Sequence, residues 1–201
     1  MFFSFDGLDG AGKSTQMDRF CAWLAERGQE VVVCRDPGST DLGEALRRLL
    51  LERSSLAIGR RSEMFMYMAA RAQLVEEVIR PALAAGKTVV SDRYLLANIV
   101  YQGHAGGIDP AEIRAVGKVA IAGLLPELTF VFDVPLEIAL SRMNRTLDRM
   151  ESQGEEYLEQ VRQGFLREAT IYPARVEVID ATRNIETIFA DLCRLAQPLL
   201  P

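Results

Sequence analysis

The chain has 201 residues, 49% of them hydrophobic and 25% charged, with a formal net charge of −5 at pH 7. That length suits one domain burying roughly 70% of its unfolded surface, and the acidic balance argues against a nucleic-acid binder, which carries a basic face. No apolar run approaches a membrane span, the single His104 excludes most histidine metal sites, and the scattered Cys21, Cys34 and Cys193 suit buried, reduced thiols of a cytoplasmic protein.

An apolar run over 2–6 reads as a first strand and leads directly into Gly7-Leu8-Asp9-Gly10-Ala11-Gly12-Lys13-Ser14. This matches the phosphate-binding pattern G-x-x-x-x-G-K-[ST] at every fixed position. Residues 13–27 follow with helical spacing, Phe20, Trp23 and Leu24 lying on one side. Strand, glycine loop and helix is the order that the motif needs. Its backbone N–H groups turn inward around phosphate oxygens, and the helix N-terminus adds roughly half a positive charge. Lys13 then reaches the β- and γ-phosphates, and the Ser14 hydroxyl can ligate Mg²⁺. The loop predicts a bound nucleoside triphosphate, with Gly7, Asp9, Gly10, Ala11, Gly12, Lys13, Ser14 and Thr15 as its contacts.

Further strands are predicted at 30–34, 88–91, 128–133 and 176–179. Helices are predicted near 41–52, 62–85, 109–123, 135–144, 154–171 and 184–197, with Met64, Met66 and Met68 as core residues of the second of these. Short, nearly all-apolar strands separated by helices indicate a parallel sheet covered on both faces. Ligands of such sheets bind at the carboxyl ends of the strands, where Asp6, Asp92 and Asp133 stand. Between the helical patterns at 135–144 and 154–171 lie three arginines, Arg142, Arg145 and Arg149. They read either as a solvated helix face or as a lid that neutralises phosphate charge.

A phosphate loop alone does not separate kinases from switches or motors, although the guanine-reading N-K-x-D sequence is absent. Other segments are more specific. Arg35-Asp36-Pro37-Gly38-Ser39-Thr40, followed by Leu42-Gly43-Glu44 and Arg47, resembles the R-E-P-G-G-T segment of bacterial thymidylate kinases. Glu63 through Arg71-Ala72-Gln73 resembles their thymine-pocket helix, and Asp92-Arg93-Tyr94, Asn98 and Tyr101-Gln102-Gly103 resemble their D-R-Y…Y-Q-G segment. The resemblance covers most of residues 1–181 in the right order.

The resemblance implies the P-loop kinase fold, an α/β/α sandwich around a five-stranded parallel sheet, in one domain over 1–201 with a short lid at about 142–152. It implies transfer of the γ-phosphate of ATP to dTMP, with Mg²⁺, by a cytoplasmic homodimer with no nucleic-acid or membrane partner. Carried over residue by residue, Lys13, Asp9, Arg93 and Arg149 are the catalytic candidates. Arg93 should bridge the two phosphates, and Arg47 should hold the acceptor phosphate beside Asp9. Tyr67 should stack on thymine, Arg71 should donate to its O4, and Asn98 should face N3. Tyr101 should crowd the sugar 2′ position, while Pro37 and Gln102 complete the acceptor set. Ser14 and Asp92 are the candidate Mg²⁺ ligands. Because Ala11 supplies no basic side chain inside the loop, Arg149, with Arg142 or Arg145, is expected to reach ATP.

The chain departs from the family pattern with Tyr67 for Phe, Asp6 and Asp36 for Glu, Ser39 for Gly and Ala97 for Ser. Tyr67 and Ala97 leave open a nucleotide or deoxynucleoside kinase of shifted base selectivity. A non-catalytic nucleotide switch is the remaining alternative.

Overall fold

The structure, a computed structural model, describes residues 1–52, 56–143 and 149–200. Its five strands are β1 (Phe2–Gly7), β2 (Val31–Arg35), β3 (Thr88–Asp92), β4 (Leu128–Asp133) and β5 (Val176–Asp180). They form one sheet in the order β2-β3-β1-β4-β5, every neighbouring pair parallel. The three inner strands are almost wholly buried, whereas the edge strands expose Val33 and Val178. This pattern follows from helices on both faces, and it matches the near-continuous apolar runs in the sequence.

The helices are α1 (Lys13–Ala25), α2 (Asp41–Leu51), α3 (Arg60–Leu74), α4 (Arg80–Ala84), α5 (Leu95–Asn98), α6 (Pro110–Ala120), α7 (Leu136–Arg142), α8 (Glu155–Ile171) and α9 (Ile185–Ala196). Phe3 and Phe5 of β1 meet Phe20 of α1 and Phe130 of β4 in one aromatic cluster, with ring centroids 5.2 to 5.6 Å apart for Phe3–Phe20, Phe5–Phe20 and Phe5–Phe130. Such pairs add ~0.5–1.5 kcal/mol each beyond their buried area. Phe2 belongs instead to a second cluster with Met64 and Met68 of α3 and Ile113 of α6. β1, alternating between the two clusters, therefore anchors the phosphate loop that leaves its end.

Two helical features depart from the sequence expectation. The pattern at 62–85 is continuous, but α3 and α4 are joined by a π-helical turn, Val75–Ile79. Pro81, in the first turn of α4, lacks an N–H and would crowd the carbonyl four residues back, and a widened turn relieves that conflict. Helix α5 and the π-helical Ile99–Ala105 were not predicted at all. Ile99, Val100 and Gly103 lower the helix propensity of this stretch, and packing against α8 stabilises it. A Cβ at Gly164 of α8 would lie 2.9 Å from Val100 and 3.0 Å from His104, so the two elements approach backbone to side chain. Cys34 is buried as expected, whereas Cys21 and Cys193 are partly exposed. Burial still pushes the Cys21 and Cys34 thiols up, to about 11 and about 12.

Candidate active site

The carboxyl ends of β1, β2 and β3 carry the site. Gly12 caps α1 in the left-handed region, φ 88°, without a side-chain hydrogen bond, and nothing lies within 4 Å of where its Cβ would stand. A larger residue would strain the backbone there, and the bare cap leaves the first N–H groups of α1 to an anion. Lys13 is buried, and its Nζ donates to the carbonyls of Gly7 (3.2 Å) and Leu8 (2.8 Å) and to Asp9 Oδ1 (3.3 Å). Burial and the nearby Arg93 lower its pKa, and Asp9 opposes them. Ser14 and Thr15 are exposed on the first turn of α1.

Arg93 follows β3. Its Nη2 donates to the same Asp9 oxygen at 2.8 Å, and its guanidinium carbon lies 5.1 Å from the centroid of the Tyr101 ring. Burial pulls the Arg93 pKa down, but Tyr101, Asp9, Asp92 and Asp6 together push it well above the ordinary value. One carboxylate oxygen thus lies between the lysine of the phosphate loop and an arginine from another strand.

Arg93 opens onto a cavity of about 240 Å³. All nine residues expected around the acceptor line it, namely Asp9, Pro37, Arg47, Tyr67, Arg71, Arg93, Asn98, Tyr101 and Gln102. The loop from β2 to α2 brings Arg47 in: its Nη1 donates to the carbonyl of Pro37 at 2.9 Å, and burial and Arg35 lower its pKa. Ser39 adopts φ 63° in that loop, a conformation that glycine would take at no cost.

Arg71 is fully buried, and its Nε donates to Asp36 at the end of β2, 2.5 Å away. Its Nη1 donates to Asn98 Oδ1 (3.0 Å) and Met68 Sδ (3.3 Å), and its Nη2 to the carbonyl of Tyr94 (3.3 Å). Of the five N–H groups of a guanidinium, these contacts leave one Nη2–H for a ligand carbonyl. Asp36 is a site residue that sequence reading missed, although it stands inside a motif it had singled out.

A second cavity, of about 260 Å³, lies behind the loop and is lined by Ala11, Gly12, Thr15 and Gln16 with Arg142, Ala181, Arg183, Ile185 and Ile188. Arg142 enters it from the end of α7 and donates to the carbonyl of Ala181 at 3.2 Å. Arg183 was not anticipated; its signal is its place three residues past the end of β5. Arg145 lies outside the described residues, as does the central part of the expected lid at 142–152. A further cavity of about 310 Å³, lined by Ser4, Leu95, Ile121, Thr129 and Tyr172 among others, is mostly apolar and contains no carboxylate. Arg114, Lys118 and Arg175 also line it, but it includes no residue of the phosphate loop and none of the nine acceptor residues, so it is not the candidate.

Arg149 is held at the end of α2 in this structure. It was expected at the triphosphate, yet its Nε donates to the carbonyl of Leu50 at 2.6 Å, its Nη2 pairs with Glu63, and its backbone N–H donates to Leu51 at 3.2 Å. A carboxylate and two carbonyls at the end of α2 satisfy its donors, so in this geometry it sits on the acceptor side. Glu63 is thereby a second residue that sequence reading did not place in the site.

Three buried side-chain atoms at the ends of β1 and β3 have no partner among the described residues: Asp6 Oδ1, Asp92 Oδ1 and Arg93 Nη1. Unsatisfied buried polar atoms are rare and cluster at functional sites. The described residues hold no group of three or more His, Cys, Asp or Glu that could cage a metal. Asp92 Oδ1 and the Ser14 hydroxyl are hard oxygen donors of the kind that Mg²⁺ takes when phosphates supply the remaining ligands, so the donor set fits that ion.

Comparison with known proteins bears on the family and the fold of the chain. A family profile described as thymidylate kinase matches residues 5–192. The chain is 44% identical to a thymidylate kinase of Rhodopirellula baltica, over 92% of this chain and 75% of that protein. It is 42% identical to one of Nitratidesulfovibrio vulgaris, over 100% and 97% of the two chains. The crystal structure of thymidylate kinase from Ehrlichia chaffeensis superposes with a TM-score of 0.80 at 30% identity, covering 98% of each chain.

Proposed function

The chain belongs to the thymidylate kinase family, and from that premise we propose that it transfers the γ-phosphoryl group of ATP to dTMP in the cytoplasm, as one domain over 1–201. An oxygen of the dTMP phosphate attacks the γ-phosphorus, the bond to the β–γ bridging oxygen breaks, and dTDP and ADP leave. The acceptor phosphate is already anionic at neutral pH, so no general base is needed. Catalysis then rests on positioning and charge neutralisation.

The observation that carries this reading is Asp9, whose Oδ1 lies 3.3 Å from Lys13 Nζ and 2.8 Å from Arg93 Nη2. Two cations, Lys13 for the donor phosphates and Arg93 bridging donor and acceptor, are thereby fixed side by side across one carboxylate. Arg47 supports the far side of the acceptor phosphate, and Tyr67, Arg71, Asn98 and Gln102 line the place for its base. The loop with Ser14 and Thr15 takes the donor phosphates, and Arg142 and Arg183 flank the cavity behind it. Mg²⁺, held by Ser14 and Asp92, would supply charge neutralisation between the phosphates. Arg149 would have to leave Glu63 to reach the γ-phosphate as part of a lid over 142–152.

In a coupled assay of ADP release over dTMP, dUMP, UMP, dCMP, AMP and thymidine, dTMP should have the highest kcat/KM. Chelation of divalent cations should stop turnover. If dTMP were no better than AMP or thymidine, the reading would fail.

The homodimer that the family resemblance implies is supported by apolar side chains exposed on α2, α3 and α6: Leu42, Leu49, Phe65 and Val119. Light scattering should give twice the 22.4 kDa chain mass, and a concentration-independent single-chain mass would contradict it.

A further inference from the structure

Four buried side chains form a hydrogen-bonded line beneath the first cavity. Arg71 Nη1 donates to Asn98 Oδ1 (3.0 Å), Asn98 Nδ2 donates to Gln102 Oε1 (2.6 Å), and Gln102 Nε2 donates to Glu63 Oε1 (2.8 Å). All four residues are at most 8% exposed, so water does not compete freely for these bonds. The other Glu63 oxygen, Oε2, accepts from Arg149.

The ends of this line are chemically opposite. A guanidinium has donors only, and an ionised carboxylate has acceptors only, while each amide between them has both. Only one orientation of the two amides avoids setting N–H against N–H. Asn98 then presents its oxygen beside an Arg71 N–H, which gives a donor next to an acceptor. That order matches a 4-oxo, 3-NH pyrimidine and opposes cytosine, whose 4-amino group donates and whose N3 accepts.

We propose that Glu63 is a specificity-determining positioning residue: as the acceptor-only end of the line, it holds Gln102, and through it Asn98, in the orientation that accepts thymine N3–H and rejects cytosine. The proposal rests on the reading that the first cavity takes dTMP. Without the carboxylate, Gln102 Nε2 is buried with no acceptor. It regains one by turning toward Asn98, where its N–H meets Asn98 Nδ2 and competes with Arg71 for the single Asn98 oxygen. Only the Arg71 end then still orients the line, and the buried unpaired donor of Gln102 makes the aligned state costly.

The test is kcat/KM for dTMP and for dCMP in the wild type and in Glu63→Met, Glu63→Gln and Gln102→Met. Wild-type preference for dTMP is established first. If it is absent, the proposed function fails and not merely this inference. Glu63→Met should raise KM for dTMP and reduce the dTMP/dCMP ratio of kcat/KM, each about tenfold or more. Its kcat for dTMP and its ATP affinity should stay within about threefold. Glu63→Gln still offers Gln102 an oxygen, so it should restore the ratio to within about threefold of wild type although the charge facing Arg149 is gone. Gln102→Met, which cuts the line elsewhere, should reproduce the loss and keeps the test decisive if Glu63→Met does not fold. An unchanged ratio in Gln102→Met or in folded Glu63→Met would overturn the proposal. So would a Glu63→Gln variant as unselective as Glu63→Met, because the charge toward Arg149 would then be what matters.

Discussion

Arg93→Ala should lower kcat for dTMP phosphorylation about 10³-fold or more while leaving ATP affinity within about threefold. A loss of that size corresponds to ~4 kcal/mol of transition-state stabilisation. The expectation comes from how the fold holds this side chain. The Arg93 N–H donates to the Phe5 carbonyl at 2.9 Å, its carbonyl accepts from Ser91 Oγ at 2.7 Å, and its backbone takes φ 66°. A non-glycine residue in that region carries ~1–3 kcal/mol of strain and persists where its surroundings over-determine it. The strain aims the guanidinium across Asp9 toward Lys13, where charge builds between donor and acceptor phosphates. Such a fixed cation needs no reorganisation during transfer, which is why its removal should affect kcat rather than donor binding. Single-turnover kinetics with saturating substrates, together with an ATP titration, separate the two effects. Transfer at the wild-type rate would remove Arg93 from the mechanism, and an equal loss of ATP affinity would make it a donor-binding residue instead.

Residues that act locally were legible in the sequence. The phosphate loop reads directly because its chemistry comes from consecutive residues, and the strands were found to within a residue or two because near-continuous apolar runs have few alternatives in an α/β chain. The acceptor residues, carried over from family motifs, line one cavity because those motifs sit at the ends of adjacent strands β2 and β3 and on the helices that follow them. What escaped depends on contacts distant in sequence. Arg71 read as a base donor, but its burial is balanced by Asp36, 35 residues earlier. Glu63 stood in the sequence only as the first residue of the segment that resembles the thymine-pocket helix. Only the folding of Gln102 and Arg149 against it makes it a junction. The segment Ile99–Ala105 had no helical signal because the close approach of α8 at Gly164, not its own propensity, makes it helical. The charge that the loop lacks pointed to Arg149, but its partners here, the Leu50 carbonyl and Glu63, come from segments distant in sequence.

Asp6→Asn is expected to make folding more stable at neutral pH, with a gain that grows as pH rises. Asp6 is completely buried at the end of β1, and burial raises its pKa from 3.8 to about 7 even though Arg93, the Ser4 hydroxyl and Lys13 favour its charged form. Ser4 Oγ donates to one of its oxygens at 3.1 Å, and the other has no partner among the described residues. Between pH 3.8 and about 7 the folded chain keeps a proton that the unfolded chain has released. The folded state then binds more protons, so this group makes stability fall as pH rises. The slope is about 1.4 kcal/mol per pH unit, or roughly 4 kcal/mol across the window, and it levels off above the folded pKa. Asparagine keeps the shape and still accepts from Ser4 but never ionises, so this component should vanish. Urea unfolding of the nucleotide-free protein at several pH values between 4.5 and 8.5 measures it. The stability of Asp6→Asn minus that of the wild type should climb through pH 7 and then flatten. Parallel curves would mean that Asp6 ionises in the fold at no cost, with Arg93 and Lys13 offsetting its burial in full. Nucleotide binding adds negative charge beside Asp6, which favours the protonated form further. The same titration with ATP bound should therefore carry the rising part of the difference to higher pH.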